Sequence, residues 1–124
     1  MENLLNRFIL DTNILIYLFN NKLAGPLPEG LHYCSVITEL ELLSFRGLTE
    51  HEEGLIRTMF SEMEIYDLNS DIKQTTILLR RKYSLKLPDA IIAATSIVAR
   101  ATLITNDQSL QGISELQSIS VEVR

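Results

Sequence analysis

The chain has 124 residues, 46% of them hydrophobic and 22% charged, with a formal net charge of −5. That length suits one domain with a continuous core, expected over residues 1–124, and is too short for two. The composition is that of an ordinary soluble globular protein, and no apolar run approaches the roughly 18–20 residues that span a bilayer.

In chain order, Met1-Glu2-Asn3 lacks the basic start of a signal peptide. Residues 7–10 form a short apolar run that suits a buried strand, and Ile14 to Phe19 continues as a helix. Gly25, Pro26, Pro28 and Gly30 mark a loop. Residues 32–37 read as a second strand, containing the single cysteine, Cys34, as a small buried hydrophobe. One cysteine excludes an intramolecular disulfide and fits a reducing cytoplasm, the expected location. Thr38 to Phe45 reads as a helix stopped at Gly47. Thr49 with Glu52 has the spacing of a capping box and opens a helix to about Met63. A short strand at 65–68 precedes a helix capped by Ser70 or Asp71 that runs to about Tyr83. Pro88 opens a helix to about Arg100, apolar on nearly every side and so expected to be buried. Residues 102–105 make a strand, Leu110 to Leu116 a weak helical stretch, and 119–123 a last strand with period-two alternation. Strands alternating with helices predict an α/β fold: three layers, α/β/α, around a mainly parallel sheet.

Four carboxylates fall at the punctuation of this pattern. Asp11 closes the first strand, Glu41 lies in the expected first turn of the helix after 32–37, Asp89 follows Pro88, and Asp107 ends Leu103-Ile104-Thr105-Asn106. In open α/β sheets, ligands bind beyond the carboxyl ends of the strands at a topological switch point, and all four acids can face that edge. Each has a plainer reading. Thr38 and Glu41 have capping-box spacing, Asp89 complements a helix dipole, Asp107 can begin a turn, and Asp11 can be a cap. Together they suggest a site for a hard divalent cation such as Mg²⁺, which prefers oxygen ligands. His32 and His51 have no ligand spacing to each other or to Cys34, which argues against zinc.

A net charge of −5 argues against nucleic-acid binding, but bound divalent cations would offset part of it. Arg80, Arg81, Lys82 and Lys86 also cluster just before Asp89. The plainer reading is a helix end whose cations complement the macrodipole.

Asp11-Thr12-Asn13 after a short first strand resembles the opening motif of PIN-domain ribonucleases, most closely the VapC-type toxins of toxin–antitoxin pairs. Ser35-Val36-Ile37-Thr38-Glu39-Leu40-Glu41-Leu42 is similar to the family's second motif, with its acid three residues after the threonine. Leu87-Pro88-Asp89-Ala90-Ile91-Ile92-Ala93-Ala94 is similar to the third, and Leu103-Ile104-Thr105-Asn106-Asp107 to the fourth. The set runs in family order over nearly the whole chain, and three of the five aspartates occupy motif positions.

The resemblance implies an endoribonuclease dependent on Mg²⁺ or Mn²⁺, with Asp11, Glu41, Asp89 and Asp107 as its acidic pocket. Asp11, Asp89 and Asp107 are the implied metal ligands, and Glu41 would hold a metal-bound water or act as a base. Thr12, Asn13 and Thr105 are implied supporting groups. Glu39 rivals Glu41, but the two point in different directions on a helix, and Leu42 after Glu41 matches the motif. Arg46, Arg80, Arg81, Lys82 and Lys86 are candidates to guide the RNA backbone. A cognate antitoxin and a homodimer are the implied protein partners. Alternatives are a PIN nuclease with a housekeeping role in RNA processing and a catalytically idle PIN-like binding module. A phosphatase of the haloacid dehalogenase type would need a second Asp where Asn13 stands.

Overall fold

The computed structural model describes residues 6–124. Five strands, β1 (Arg7–Leu10), β2 (Leu31–Ser35), β3 (Glu64–Tyr66), β4 (Thr102–Ile104) and β5 (Ser118–Ile119), form one sheet in the order β3-β2-β1-β4-β5. Every pairing is parallel. The helices are α1 (Thr12–Phe19), α2 (Val36–Leu43), α3 (Glu50–Ser61), α4 (Ser70–Lys82), α5 (Leu87–Ala99) and α6 (Gln108–Gln111). The three-layer expectation holds, and the sheet is wholly rather than mainly parallel.

A parallel sheet must be covered on both faces, which explains why its central strands are continuous apolar runs. Strand alternation sends Ile9, Tyr33 and Leu103 into one core, built with α4, α5 and the segment around Leu110 and Ile113. Phe8, Leu10, Cys34 and Ile104 enter the other, with Ile14 and Leu15 of α1 and Ile56 and Phe60 of α3. Helix α5 is buried along most of its length, from Ala90 through Ser96, as its all-round apolarity requires. Thr95 and Ser96 stay satisfied there by donating to the carbonyls of Ile91 and Ile92. Burial also pushes the Cys34 thiol up to about 12, as suits a small hydrophobe.

Caps explain several boundaries that lie elsewhere than the sequence pattern placed them. The Thr49–Glu52 capping box forms in both directions. By contrast, Ser35 caps α2 by accepting from the Ile37 N–H, so the helix starts at Val36, before Thr38. The second strand correspondingly ends at Ser35, and the Thr38–Glu41 pair is no capping box. Asn69, one residue ahead of the expected caps, closes the start of α4. The helix expected over Leu110 to Leu116 is instead the short α6, which begins earlier because Asp107 caps it and ends at Gln111. The last strand is only Ser118–Ile119, because beyond it the chain turns to pair Val123 with Leu23. No helix of the described residues is long and apolar enough to cross a membrane.

Candidate functional site

The chain leaves β1 for β2 on one side and returns through β4 on the other, so the switch point lies between the carboxyl ends of β1 and β4. Asp11 sits at that crevice as the N-cap of α1, with its backbone N–H donating to the Ile104 carbonyl at 3.0 Å. It is only 6% exposed, and its carboxylate is held from two directions. Oδ1 accepts from the Thr12 N–H at 2.8 Å, and Oδ2 accepts from the Thr105 hydroxyl at 2.7 Å. Thr105 is itself fully buried and also accepts from the Asp107 N–H at 3.0 Å. One hydroxyl thus joins the ends of both central strands.

Asp107 caps α6, its Oδ1 accepting from the Ser109 N–H and the Ser109 hydroxyl. Asp89 lies in the first turn of α5, behind Pro88 and half-buried. Glu41 lies in the second half of α2, exposed, rather than in its first turn as the sequence pattern suggested. Its Oε1 accepts from the Thr12 hydroxyl at 2.6 Å. The only proton of that hydroxyl is thereby used, so Thr12 Oγ1 accepts from the Thr38 hydroxyl 2.9 Å away. Glu39 points elsewhere, toward Leu43, Arg57 and Phe60, where its charge acts on Cys34.

The acids share one electrostatic neighbourhood. Burial first, and then the charges of Asp107, Asp11 and Glu41, push the Asp89 carboxyl above its ordinary range, against a smaller opposite pull from Lys86. Burial likewise dominates the upward shift of Asp11; Thr105 and Thr12 oppose it, while Asp107 and Glu41 add to it. Four like-charged groups held together in this way form a field that a cation relieves. The donors are all oxygen, the set that Mg²⁺ or Mn²⁺ takes. Among the described residues no group of three or more His, Cys, Asp or Glu side chains is arranged to hold a metal ion. A Mg²⁺ ion that keeps several waters needs only one or two carboxylates, so the donor chemistry still fits.

The other expected residues are placed unevenly. Asn13 is exposed in the first turn of α1. Arg80, Arg81 and Lys82 fill the last turn of α4, where cations complement the dipole. Lys82 is committed to Glu115 at 3.0 Å, and Arg80 Nε donates to the Leu85 carbonyl at 3.3 Å. Lys86 is the cation whose charge reaches Asp89. Arg46 is exposed between α2 and α3. His32 is half-buried on β2 and stacks on Phe8, while His51 is exposed on α3. Sequence reasoning missed Thr38 and Ser109 as site neighbours. The spacing of Thr38 three residues before Glu41, which puts both on one helix face, was the available signal.

A second feature lies nearby. Leu15, Phe19, Leu42, Phe45, Ile56 and Met59 line an apolar groove between α1, α2 and α3. Phe45 is 70% exposed beside it.

The all-parallel five-stranded sheet thus carries acidic side chains around its switch point. Residues 8–116 match the model of the PIN domain, and the chain belongs to the PIN-domain family. Among solved structures it is similar to a chain of a toxin–antitoxin complex from Klebsiella pneumoniae. The two are 34% identical, with a TM-score of 0.72 over 87% of this chain and 93% of that one. It is similar also to a chain of VapBC-1 from nontypeable Haemophilus influenzae, at 25% identity and a TM-score of 0.72, covering 92% and 97% of the two chains. A chain of VapBC2 from Rickettsia felis, solved bound to a DNA fragment from its promoter, shares the fold at a TM-score of 0.79 and 22% identity, covering 94% and 99%. No curated protein matches the chain. The resemblance to VapC-type PIN domains read from the four motifs is met.

Proposed function

We propose that this PIN domain is a Mg²⁺- or Mn²⁺-dependent endoribonuclease and the toxin of a type II toxin–antitoxin pair, acting in the cytoplasm. The observation that carries the reading is Asp11: a buried carboxylate fixed at the β1/β4 crevice by two hydrogen bonds, within reach of the charges of Asp107 and Glu41. A carboxylate buried among other carboxylates is costly without a counter-charge.

In this reading Asp11, Asp89 and Asp107 would hold the metal, one or two of them directly and the rest through water. Such an ion would lower the pKa of a water and offset charge on the phosphoryl oxygens. The protein's part is positioning. Thr105 and the Thr12 N–H aim the Asp11 oxygens. The Thr12 hydroxyl, itself oriented by Thr38, holds Glu41 by one oxygen, and the other can accept a proton from an attacking water. Asn13 can donate to an approaching phosphate, and Lys86, with Arg81 and Arg46, can guide the backbone of the RNA. Arg80 and Lys82 have weaker claims to that role, because each already has a partner.

The protein-partner side of the reading rests on relatives that were solved as toxin–antitoxin complexes and on the open apolar groove of α1, α2 and α3. An antitoxin segment with apolar side chains would cover that groove. A homodimer, and a single folding unit over 1–124, complete the proposal.

The test combines a biochemical and a cellular arm. Purified protein should cut RNA internally with Mg²⁺ or Mn²⁺, and EDTA or Asp11→Asn should abolish cutting. Removing a metal ligand or catalytic group typically costs about 10²-fold or more in rate. Expression should arrest growth, and Asp11→Asn should relieve the arrest. Cutting without arrest would leave a nuclease and remove the toxin role. Neither metal binding nor cutting would point to an idle binding module.

A further inference from the structure

Thr105 is the joint of the acid site, and its main chain is held on both sides. Its N–H donates to the Ile119 carbonyl at 2.9 Å, and its carbonyl accepts from Gln111 Nε2 at 3.0 Å. The next residue, Asn106, is exposed, yet its side-chain amide makes a reciprocal pair with one backbone unit. Nδ2 donates to the Val121 carbonyl and Oδ1 accepts from the Val121 N–H, each at 2.9 Å. This arrangement imitates a β-bridge with a side chain. A hydroxyl is too short to reach both groups, and a carboxylate would repel the carbonyl.

The segment that Asn106 grips continues to the far end of α1. The Ala24 N–H donates to the Glu122 carbonyl at 2.9 Å, and the Arg124 N–H donates to the Lys22 carbonyl at 2.7 Å. Val123 bridges Leu23, and Arg124 Nε donates to the Asn21 carbonyl at 3.1 Å. Residues 21–24 follow α1 directly, and Asp11 is the N-cap of α1. The carboxyl-terminal segment therefore ties the helix that begins at Asp11 to the turn that carries Thr105 and Asp107.

We propose that Asn106 is a positioning residue that, through its reciprocal pair with Val121, makes the segment 119–124 part of the frame setting Asp11 against Asp107. The inference rests on the nuclease reading above. Asn106 acts through Thr105 and Asp107 without touching the reacting atoms. Outer groups that orient metal-binding carboxylates matter because small displacements of the donors weaken both metal affinity and rate.

The test uses full-length Asn106→Ala, Val121→Pro, which removes the N–H that Asn106 accepts, and the two combined. Mn²⁺ binding by calorimetry, RNA cleavage kinetics and thermal unfolding are measured on each. Each single change should weaken Mn²⁺ binding and lower kcat by about tenfold, with KM for RNA within about twofold of wild type. The combined variant should be no worse than the more affected single one, since Val121→Pro breaks one bond of the pair that Asn106→Ala removes whole. A variant that melts earlier but binds Mn²⁺ like wild type, or effects that multiply, would overturn the inference. Should Asn106→Ala fail to fold, Asn106→Ser carries the same expectation. A wild-type protein that binds Mn²⁺ and cuts RNA beside an unaffected variant sinks this inference alone. A wild type that does neither sinks the nuclease reading and this inference together.

Discussion

Asp89 and Asp11 carry a cost in the metal-free protein that can be measured. Asp89 is held above its ordinary 3.8, by burial first and by three neighbouring carboxylates second. The folded state therefore binds the Asp89 proton more tightly than the unfolded chain does. Stability must fall as pH rises from below 3.8 through the raised value, and the penalty is complete above it. We predict that in EDTA at neutral pH Asp89→Asn melts at a higher temperature than wild type, by a few degrees. The gap should close once the pH drops below the ordinary carboxylate range. Added Mn²⁺ should raise the melting temperature of wild type more than that of the variant. A difference in melting temperature that does not change with pH would show that Asp89 does not bear this strain.

Individual elements depend on local choices that only some residues can make. The turn into β2 brings Gly30 against β1 at a φ of 150°. A Cβ there would lie 2.4 Å from the Asn6 carbonyl oxygen and 2.9 Å from Phe8. Backbone on one side and a core ring on the other leave little room to yield. Gly30→Ala should therefore destabilise the protein by about 1–3 kcal/mol in denaturant titration, the usual cost of overpacking. A change within experimental error would show that the turn can open without loss of the β1–β2 register. The N-cap Ser35 illustrates the same point for α2. By starting the helix at Val36, it moves Glu41 from the first turn to the face that meets Thr12.

At the scale of the whole molecule, the RNA substrate of the proposed function would meet an excess of negative charge. With a net charge of −5, the chain has no general basic footprint, so attraction to phosphate must come from placed cations. Lys86 stands where its charge reaches Asp89, whereas Lys82 is paired with Glu115, whose carboxyl Tyr83 and Lys82 hold down at about 2. Lys86→Glu should weaken RNA binding and flatten its salt dependence by about 0.7 in log–log slope for each phosphate no longer neutralised. Lys82→Glu should leave that slope nearly unchanged. Equal effects from the two substitutions would mean that the cluster acts as a diffuse field rather than through Lys86.

Much of this protein was determined along the chain itself. The apolar runs at 7–10 and 102–105, the Thr49–Glu52 box and the apolar sequence after Pro88 fix a parallel α/β sandwich, because burial on both faces leaves those residues no other place. Four acids, in a family's order, pointed to a candidate site at one edge of the sheet. Tertiary structure decided what spacing leaves open. Thr38 is at once a plausible cap and a partner for Thr12, and only the position of Ser35 selects the second role. Arg80, Lys82 and Lys86 look alike in sequence, and only the folded neighbours Leu85, Glu115 and Asp89 separate them. Asn106 gains its partner from Val121, 15 residues away, through two directed hydrogen bonds. Periodicity and capping are local, so sequence carries them. Hydrogen bonds and charge pairs between distant segments depend on where the chain folds back, which only the assembled sheet sets.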